Sequence, residues 1–181
     1  MKKTDLIALV LILIALVSVR VFLNIPNFNP IGAIALMCGM ILGRKMIAWI
    51  VPFALITLGD FALSLSSTIH SDYFLSLYSV FVYISFAITI GIGILLTKRL
   101  SVSSTLLGSF IAAVAFFLIT NAGSWLMMPE YTKDFAGLIA SYEMGLPFFR
   151  ATLLSQIVFS MSIYGVYHLI TKRKVEFSKV S

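Results

Sequence analysis

The sequence predicts an all-α membrane protein, a compact bundle of about six transmembrane helices with both termini on the cytoplasmic side. Composition, apolar runs of spanning length and the placement of basic residues predict this fold. Of the 181 residues, 60% are hydrophobic and 11% are charged, and the mean hydropathy is +1.06. A soluble domain carries about 25% charged residues. The composition therefore favours a single transmembrane domain over residues 1–181.

Six apolar runs predict the helices. Because about 20 helical residues cross a bilayer core of about 30 Å, we expect helices at about 5–23, 31–43, 46–65, 75–97, 103–121 and 148–171. The second run is short for a span. Lys2 and Lys3 before the first run also fit a secretory signal peptide, but no cleavage site of small residues precedes Arg20. A retained first helix is therefore favoured.

The segment 122–147, between the last two runs, fits neither a span nor a linker. Residues such as Glu130, Lys133 and Asp134 make it too polar to cross a membrane, and its stretch 135–140 is too apolar for a free linker. We therefore expect a re-entrant or interfacial lid.

Basic residues predict the orientation, because Lys and Arg accumulate in cytoplasmic loops. In the six-helix arrangement every basic cluster falls on the same side, and the other three connections hold only Lys133 as a clear loop cation. We expect a multi-pass protein of the cell (inner) membrane that contacts membrane lipid. The clusters are Lys2/Lys3, Arg44/Lys45, Lys98/Arg99 and Lys172/Arg173/Lys174.

Two opposite charges are predicted at one depth. Arg20 lies 15 residues from Asp5, and Asp60 lies 14 residues from Met46, which places them roughly 22 and 21 Å from the inner ends of their helices. Buried charges in a membrane need a partner or a function. The pair either locks the first predicted helix to the third or forms the floor of a site.

Further polar groups share that depth. Tyr83 and Gln156 lie about 21–22 Å, and Pro30 about 20 Å, from the inner ends of their helices. The stretch 24–30 contains three asparagines and two prolines. Because irregular backbone at membrane depth is tolerated only where protein buries it or it lines a cavity, we expect an outward-facing pocket beside it.

A second polar group is expected at the outer ends of the last two predicted helices, formed by Asn121, Trp125, Tyr142 and Arg150. Trp and Tyr also serve as ordinary anchors at the membrane interface. Arg150 suits either an anionic ligand group or lipid headgroups, and both interpretations stay open.

Small residues four positions apart predict close helix packing. They occur at Ala35, Gly39 and Gly43, and again at Gly108 and Ala112.

Signatures of several function classes do not occur in the sequence. It contains no HExxH motif, phosphate-binding loop or serine elbow. His70 and His168 are predicted too far apart to share a metal, and Cys38 is the single cysteine. Basic residues stand between apolar runs rather than on one amphipathic face, which argues against a nucleic-acid partner. We expect no enzyme activity, metal or cofactor.

Three short motifs carry a resemblance to a known family. Residues 25–33 read IPNFNPIGA, residues 43–45 read GRK, and residues 59–63 read GDFAL. This layout resembles the S components, the substrate-capture subunits of energy-coupling-factor vitamin transporters. It is also similar to a family of uncharacterised membrane transport proteins with the later patterns NAGSW, here 121–125, and GLPFFR, here 145–150. The resemblance covers most of the chain.

The resemblance implies a six-helix bundle that holds a vitamin-like molecule near its outer face. It implies Asn27 and Asn29 as loop ligands, Asp60 as a helix group, and Asn121 and Trp125 as ligands from the fifth loop. An energising transmembrane subunit with ATPases would be the partner. The family usually docks it through alanines four apart in the first helix, whereas Ala8 and Ala15 are seven apart here, so a protein that acts alone stays open.

The favoured hypothesis is a membrane protein that binds and takes up a vitamin or related organic micronutrient. A non-transporting scaffold of a cell-envelope complex, with lateral contacts such as the Ala35/Gly39/Gly43 face, is the alternative, and a membrane enzyme is the third. The expected substrate-binding residues are Asn27, Asn29, Arg20, Asp60, Tyr83, Asn121, Trp125, Tyr142, Arg150 and Gln156.

Overall fold

The computed structural model describes residues 27–65, 72, 74, 76–97 and 100–180, with side chains described up to residue 171. Within these residues the chain forms five helices and no strand. The last four are long and apolar enough to cross a membrane, which indicates a membrane protein. The predicted helix 5–23, with Arg20, lies outside the described residues. The helices are α1 (Ile31–Leu42), α2 (Ile47–Ser64), α3 (Tyr78–Leu96), α4 (Val102–Met127) and α5 (Phe135–Val180).

The first three described helices agree with the sequence prediction to within three residues, and their ends have local causes. Gly43 ends α1 with a φ of 63° while its N–H donates to the carbonyl oxygen of Gly39 at 3.0 Å. Glycine adopts positive φ without steric cost. At the start of α4, Ser101 and Ser104 form a reciprocal capping box.

The predicted ends of the last two helices were wrong. α4 continues beyond 121 to Met127, and α5 begins at Phe135 rather than 148 and runs to Val180. The segment 122–147, predicted as one re-entrant or interfacial lid, is therefore two helix ends joined by residues 128–134. Polar groups are tolerated there because they bond within the hairpin: the Nε1 of Trp125 donates to the carbonyl oxygen of Thr132 at 2.8 Å. Pro147 lies inside α5 without ending it.

The short helix α1 forms the centre of the bundle. Its 12 residues extend only about 18 Å, and its side chains are buried on nearly all sides by the other helices. Leu36, Met37 and Met40 form one core cluster, and Ile31 and Ala35 join residues of α2 and α3 in a second. In α2, Pro52 is also buried.

Helices α1 and α3 cross in backbone contact. A Cβ atom added to Gly39 would lie 2.9 Å from the Cα of Gly93, and one added to Gly93 would lie 2.9 Å from the Cα of Gly39. Beside this crossing, the Oγ1 of Thr97 donates to the carbonyl oxygen of Gly39 at 3.0 Å. The prediction that Ala35, Gly39 and Gly43 form a close-packing face is confirmed. That face is internal, so its use for lateral contacts by a scaffold was wrong.

Candidate functional site

A small cleft lies where the loop before α1 meets α3, α4 and α5. Its cavity volume is about 30 Å³, room for one or two water molecules. A vitamin-sized ligand requires the cleft to widen. It is lined by Asn27, Asn29, Gly32, Phe86, Thr89, Ala112, Ala113, Phe116, Thr152, Ser155 and Gln156.

The loop 27–30 brings irregular backbone into the bundle. Asn27 has a φ of 58°, a conformation that asparagine tolerates better than most residues. The Oδ1 of Asn29 accepts a hydrogen bond from the backbone N–H of Ile31 at 3.1 Å, which satisfies a donor of the first helical turn. The ring of Phe28 packs against Phe159 on α5 at 5.4 Å. Of the stretch 24–30 that was predicted to lie beside a pocket, Asn27 and Asn29 line the cleft, while residues 24–26 lie outside the described residues.

Gln156 is the most informative side chain of the cleft. It is only 5% exposed, and its Oε1 lies so close to Gly32 that a Cβ there would collide with it. Within the described part of the chain, the Nε2 of Gln156 has no hydrogen-bond partner. A buried polar atom without a partner is costly, so this atom indicates a position where a ligand or a water molecule accepts a hydrogen bond.

The hydroxyl groups of the cleft use their protons within their own helices. The Oγ1 of Thr89 donates to the carbonyl oxygen of Ser85 at 2.8 Å, the Oγ of Ser155 donates to that of Thr152 at 2.9 Å, and the Oγ1 of Thr152 donates to that of Phe148 at 3.2 Å. A hydroxyl oxygen also has two lone pairs. These three groups therefore offer acceptors rather than donors to the cleft.

Apolar residues complete the walls. The rings of Phe86 and Phe116 are 5.5 Å apart at an interplanar angle of 57°, and Ala112 and Ala113 contribute only methyl groups. Among the described lining residues there is no charged side chain. The cleft thus combines uncharged hydrogen-bonding groups with aromatic surface, which suits a neutral organic ligand.

Asp60 and Tyr83 were predicted at the depth of Gln156, but neither lines this cleft. Tyr83 faces α2, where its hydroxyl lies 3.2 Å from the Oγ1 of Thr57 and its ring stacks on Phe53 at 6.0 Å. Asp60 is buried on α2, with 4% of its surface exposed. Arg20, its predicted partner, lies outside the described residues.

The predicted outer group, Asn121, Trp125, Tyr142 and Arg150, also lies apart from the cleft. Asn121 packs directly against Gly145, and the Tyr142 hydroxyl donates to the carbonyl oxygen of Leu118 at 3.2 Å. Arg150 is exposed. Asn121 and Tyr142 therefore join α4 to α5.

The connection 128–134 is held by three polar side chains. The indole Nε1 of Trp125 donates to the carbonyl oxygen of Thr132 at 2.8 Å. The ammonium of Lys133 donates to the carbonyl oxygens of Trp125 and Met128, both at 2.6 Å, a favourable position for a cation at a helix C-terminus. Asp134 caps α5 by accepting from the backbone N–H of Gly137 at 2.8 Å. That bond and the one from Thr132 lower the pKa of the Asp134 carboxyl.

Several residues that line the cleft were not predicted from the sequence as site residues. They are Gly32, Phe86, Thr89, Ala113, Phe116, Thr152 and Ser155, while Ala112 was predicted only for packing. Hydroxyl residues three or four positions apart, such as Ser85 with Thr89, mark a polar helix face, and this was the available signal. Within the described residues no three His, Cys, Asp or Glu side chains group as metal ligands.

A family model matches nearly the whole chain. The chain matches the model of a family of unknown function, DUF6580, over residues 1–179, and it belongs to that family. Comparison with curated proteins and with solved structures gives no match.

Proposed function

We propose that this protein binds a small organic molecule, a vitamin or a related micronutrient, in the cleft and takes it up across the membrane. This proposal rests chiefly on the buried Gln156 amide. Its Nε2 has no partner in the described part of the chain, and Gln156 is one of the residues that line the cleft. The resemblance to S components of energy-coupling-factor transporters supports the same function.

The loop 27–30 is the proposed moving wall. The remaining walls belong to helices whose backbone is hydrogen-bonded internally, whereas Asn27 and Asn29 lie ahead of the first turn of α1. Loop segments need less free energy to open than packed helices do. Displacement of this loop would widen the cleft from about 30 Å³ to the size of a ligand.

The proposed arrangement has six spans in the cell (inner) membrane and both termini in the cytoplasm. In this arrangement residues 5–23 are the first span, and the five described helices follow. The basic residues Arg44 and Lys45 in the α1–α2 turn support it through the positive-inside rule. In this arrangement the short α1 crosses the membrane core together with the loop before it.

The proposed partners are the small organic ligand, membrane lipid and an energising transmembrane subunit with ATPases. A partner of this kind supplies the energy for uphill transport, because the sequence contains no phosphate-binding loop. Neither nucleic-acid binding nor an enzymatic reaction is part of the proposal.

Mass spectrometry of small molecules released from gently purified protein tests this function. We expect one organic compound near one equivalent per chain from wild type and a large loss from Gln156→Leu. Ser162→Ala is the matched control, because Ser162 is an exposed residue of the same helix, and its hydroxyl donates to the Val158 carbonyl oxygen one turn earlier. Folded wild-type protein that releases no compound and supports no uptake in cells would favour the scaffold.

A further inference from the structure

We infer that the ligand group held beside Gln156 is a neutral amide-type group, such as a carboxamide, lactam or ureido group, attached to a planar ring. This inference rests on the proposed function of the cleft and names the chemistry that the cleft selects.

The first requirement is a hydrogen-bond acceptor on the ligand. The Nε2 of Gln156 carries two N–H donors and has no partner within the described residues. Its Oε1 is pressed against Gly32, which restricts rotation of the amide. A carbonyl oxygen is the acceptor that satisfies an amide N–H with the geometry common in proteins.

The second requirement is a donor on the ligand. Thr89, Thr152 and Ser155 each donate their hydroxyl proton to a carbonyl oxygen of the same helix. Their oxygens are therefore left as acceptors, which an N–H group matches. A carbonyl next to an N–H presents both required groups on one edge of the ligand. The same edge also fits if the nitrogen and oxygen of the Gln156 amide are exchanged, because the ligand N–H can then donate to Gln156.

The third requirement concerns charge. Among the described residues that line the cleft there is no cation to pair with a carboxylate and no anion to pair with an ammonium. Because burying an ionised group without a partner is strongly unfavourable, these described walls favour a neutral group over either ion beside Gln156. The rings of Phe86 and Phe116, with the methyl groups of Ala112 and Ala113, favour flat apolar surface beside the amide.

Saturation-transfer NMR with three compounds of one shape tests the inference on the full chain in detergent. Benzamide offers the donor and the acceptor, acetophenone offers the acceptor alone, and benzoate is charged. We expect benzamide to bind wild type at millimolar concentration, acetophenone to bind about tenfold more weakly for want of one hydrogen bond, and benzoate to give no signal.

Variants connect binding of the ligand carbonyl to Gln156. Gln156→Leu should bind benzamide and acetophenone each about tenfold more weakly than wild type, because both offer the carbonyl that Gln156 holds, whereas Ser162→Ala should bind both as wild type does. Equal binding of benzoate and benzamide, equal binding of acetophenone and benzamide, or a folded Gln156→Leu protein that binds benzamide as tightly as wild type would overturn the inference.

The outcome also separates this inference from the proposed function. If wild-type protein releases a compound whose polar groups are only carboxylate or ammonium, the amide assignment fails and the binding function stands. If wild type is folded, releases nothing and binds none of the three compounds, both fail.

Discussion

At the scale of single residues, Gly32 and Gln156 position the cleft together. The absence of a side chain at Gly32 leaves the space that the Oε1 of Gln156 occupies. Gln156 reaches this position from the middle of α5, so one contact joins the first turn of α1 to the opposite wall. The contact is made to the flexible end of a side chain, which makes it adjustable.

A Gly32→Ala substitution should therefore impair binding without impairing folding. The added methyl group collides with Oε1, and the Gln156 side chain moves aside at little cost because only its far end must shift. We expect benzamide binding to fall by about tenfold or more, through loss of one hydrogen bond, with little change in thermal unfolding in detergent.

Gly91→Ala is the control for that substitution, because a Cβ at Gly91 meets nothing within 4 Å. Both measurements should stay at the wild-type value. Undiminished binding by folded Gly32→Ala protein would contradict the proposed role of the contact.

Asp134 gives a pH-dependent prediction outside the membrane-spanning segments. Its hydrogen bond from the Gly137 N–H lowers its pKa in the folded protein. The cap is therefore fully stabilising above the pKa of the unfolded chain, and it weakens as pH falls through the lower folded value. In protein labelled with ¹⁵N-glycine, the Gly137 amide shift should titrate with a midpoint below the ordinary aspartate value of about 3.9.

Asp134→Asn should abolish this titration, since asparagine still offers an oxygen to the amide but carries no acidic proton. A Gly137 shift that titrates equally in both proteins would assign the effect to another group.

Residue positions also show which part of the site can be predicted from the sequence. Counting 1.5 Å per residue gives the depth of Tyr83, Asp60 and Gln156, but each helix also has a rotation about its axis. Tyr83 faces α2 while Gln156 faces the cleft. The rotation of a helix about its axis depends on which helices pack against it. The hydrophobicity pattern gives little indication of this rotation, because lipid-facing and core-facing side chains are both apolar.

At the scale of elements, the crossing of α1 and α3 depends on backbone contact. Gly93→Ala would place a methyl group against the Cα of Gly39, and backbone atoms cannot move aside as a side chain does. We expect destabilisation of about 1–3 kcal/mol, the usual range for overpacking, seen as a lower unfolding temperature in detergent.

The control for that crossing is again Gly91→Ala, two residues earlier and about half a turn away on the same helix, where an added Cβ meets nothing within 4 Å. If Gly93→Ala protein unfolds at the wild-type temperature, α1 and α3 do not pack as closely at Gly39 and Gly93 as the structure shows.

Helix boundaries were predictable where the chain marks them chemically. Gly43 and the basic residues after it end α1, and the first three described helices were placed within three residues. The ends of α4 and α5 were missed because polar residues were taken as breaks. Instead, Asn121 bonds to the carbonyl oxygen one turn earlier, so a polar side chain continues the helix where it finds a partner on its own backbone.

At the scale of the whole molecule, a non-helical segment packs against the bundle. The loop 27–30 precedes α1, whose 12 residues are too few to cross a bilayer core by themselves. Backbone of this kind at membrane depth must be buried or line a cavity, and the prediction of a pocket followed from that rule alone. The identity of its walls required the packing of α3, α4 and α5 against the loop.

The proposed six-span topology makes opposite predictions for the α1–α2 and α4–α5 connections, which both carry exposed charge. Starting from a Cys38→Ser protein, which has no cysteine, Glu130→Cys should react with a membrane-impermeant thiol reagent added to intact cells. Lys45→Cys should react only after the membrane is opened, because the basic α1–α2 turn lies on the cytoplasmic side. Both positions are exposed, so accessibility within the protein does not decide the result. If Lys45→Cys reacts from outside and Glu130→Cys does not, the orientation is reversed. The cleft then opens to the cytoplasm, which would exclude capture from outside the cell.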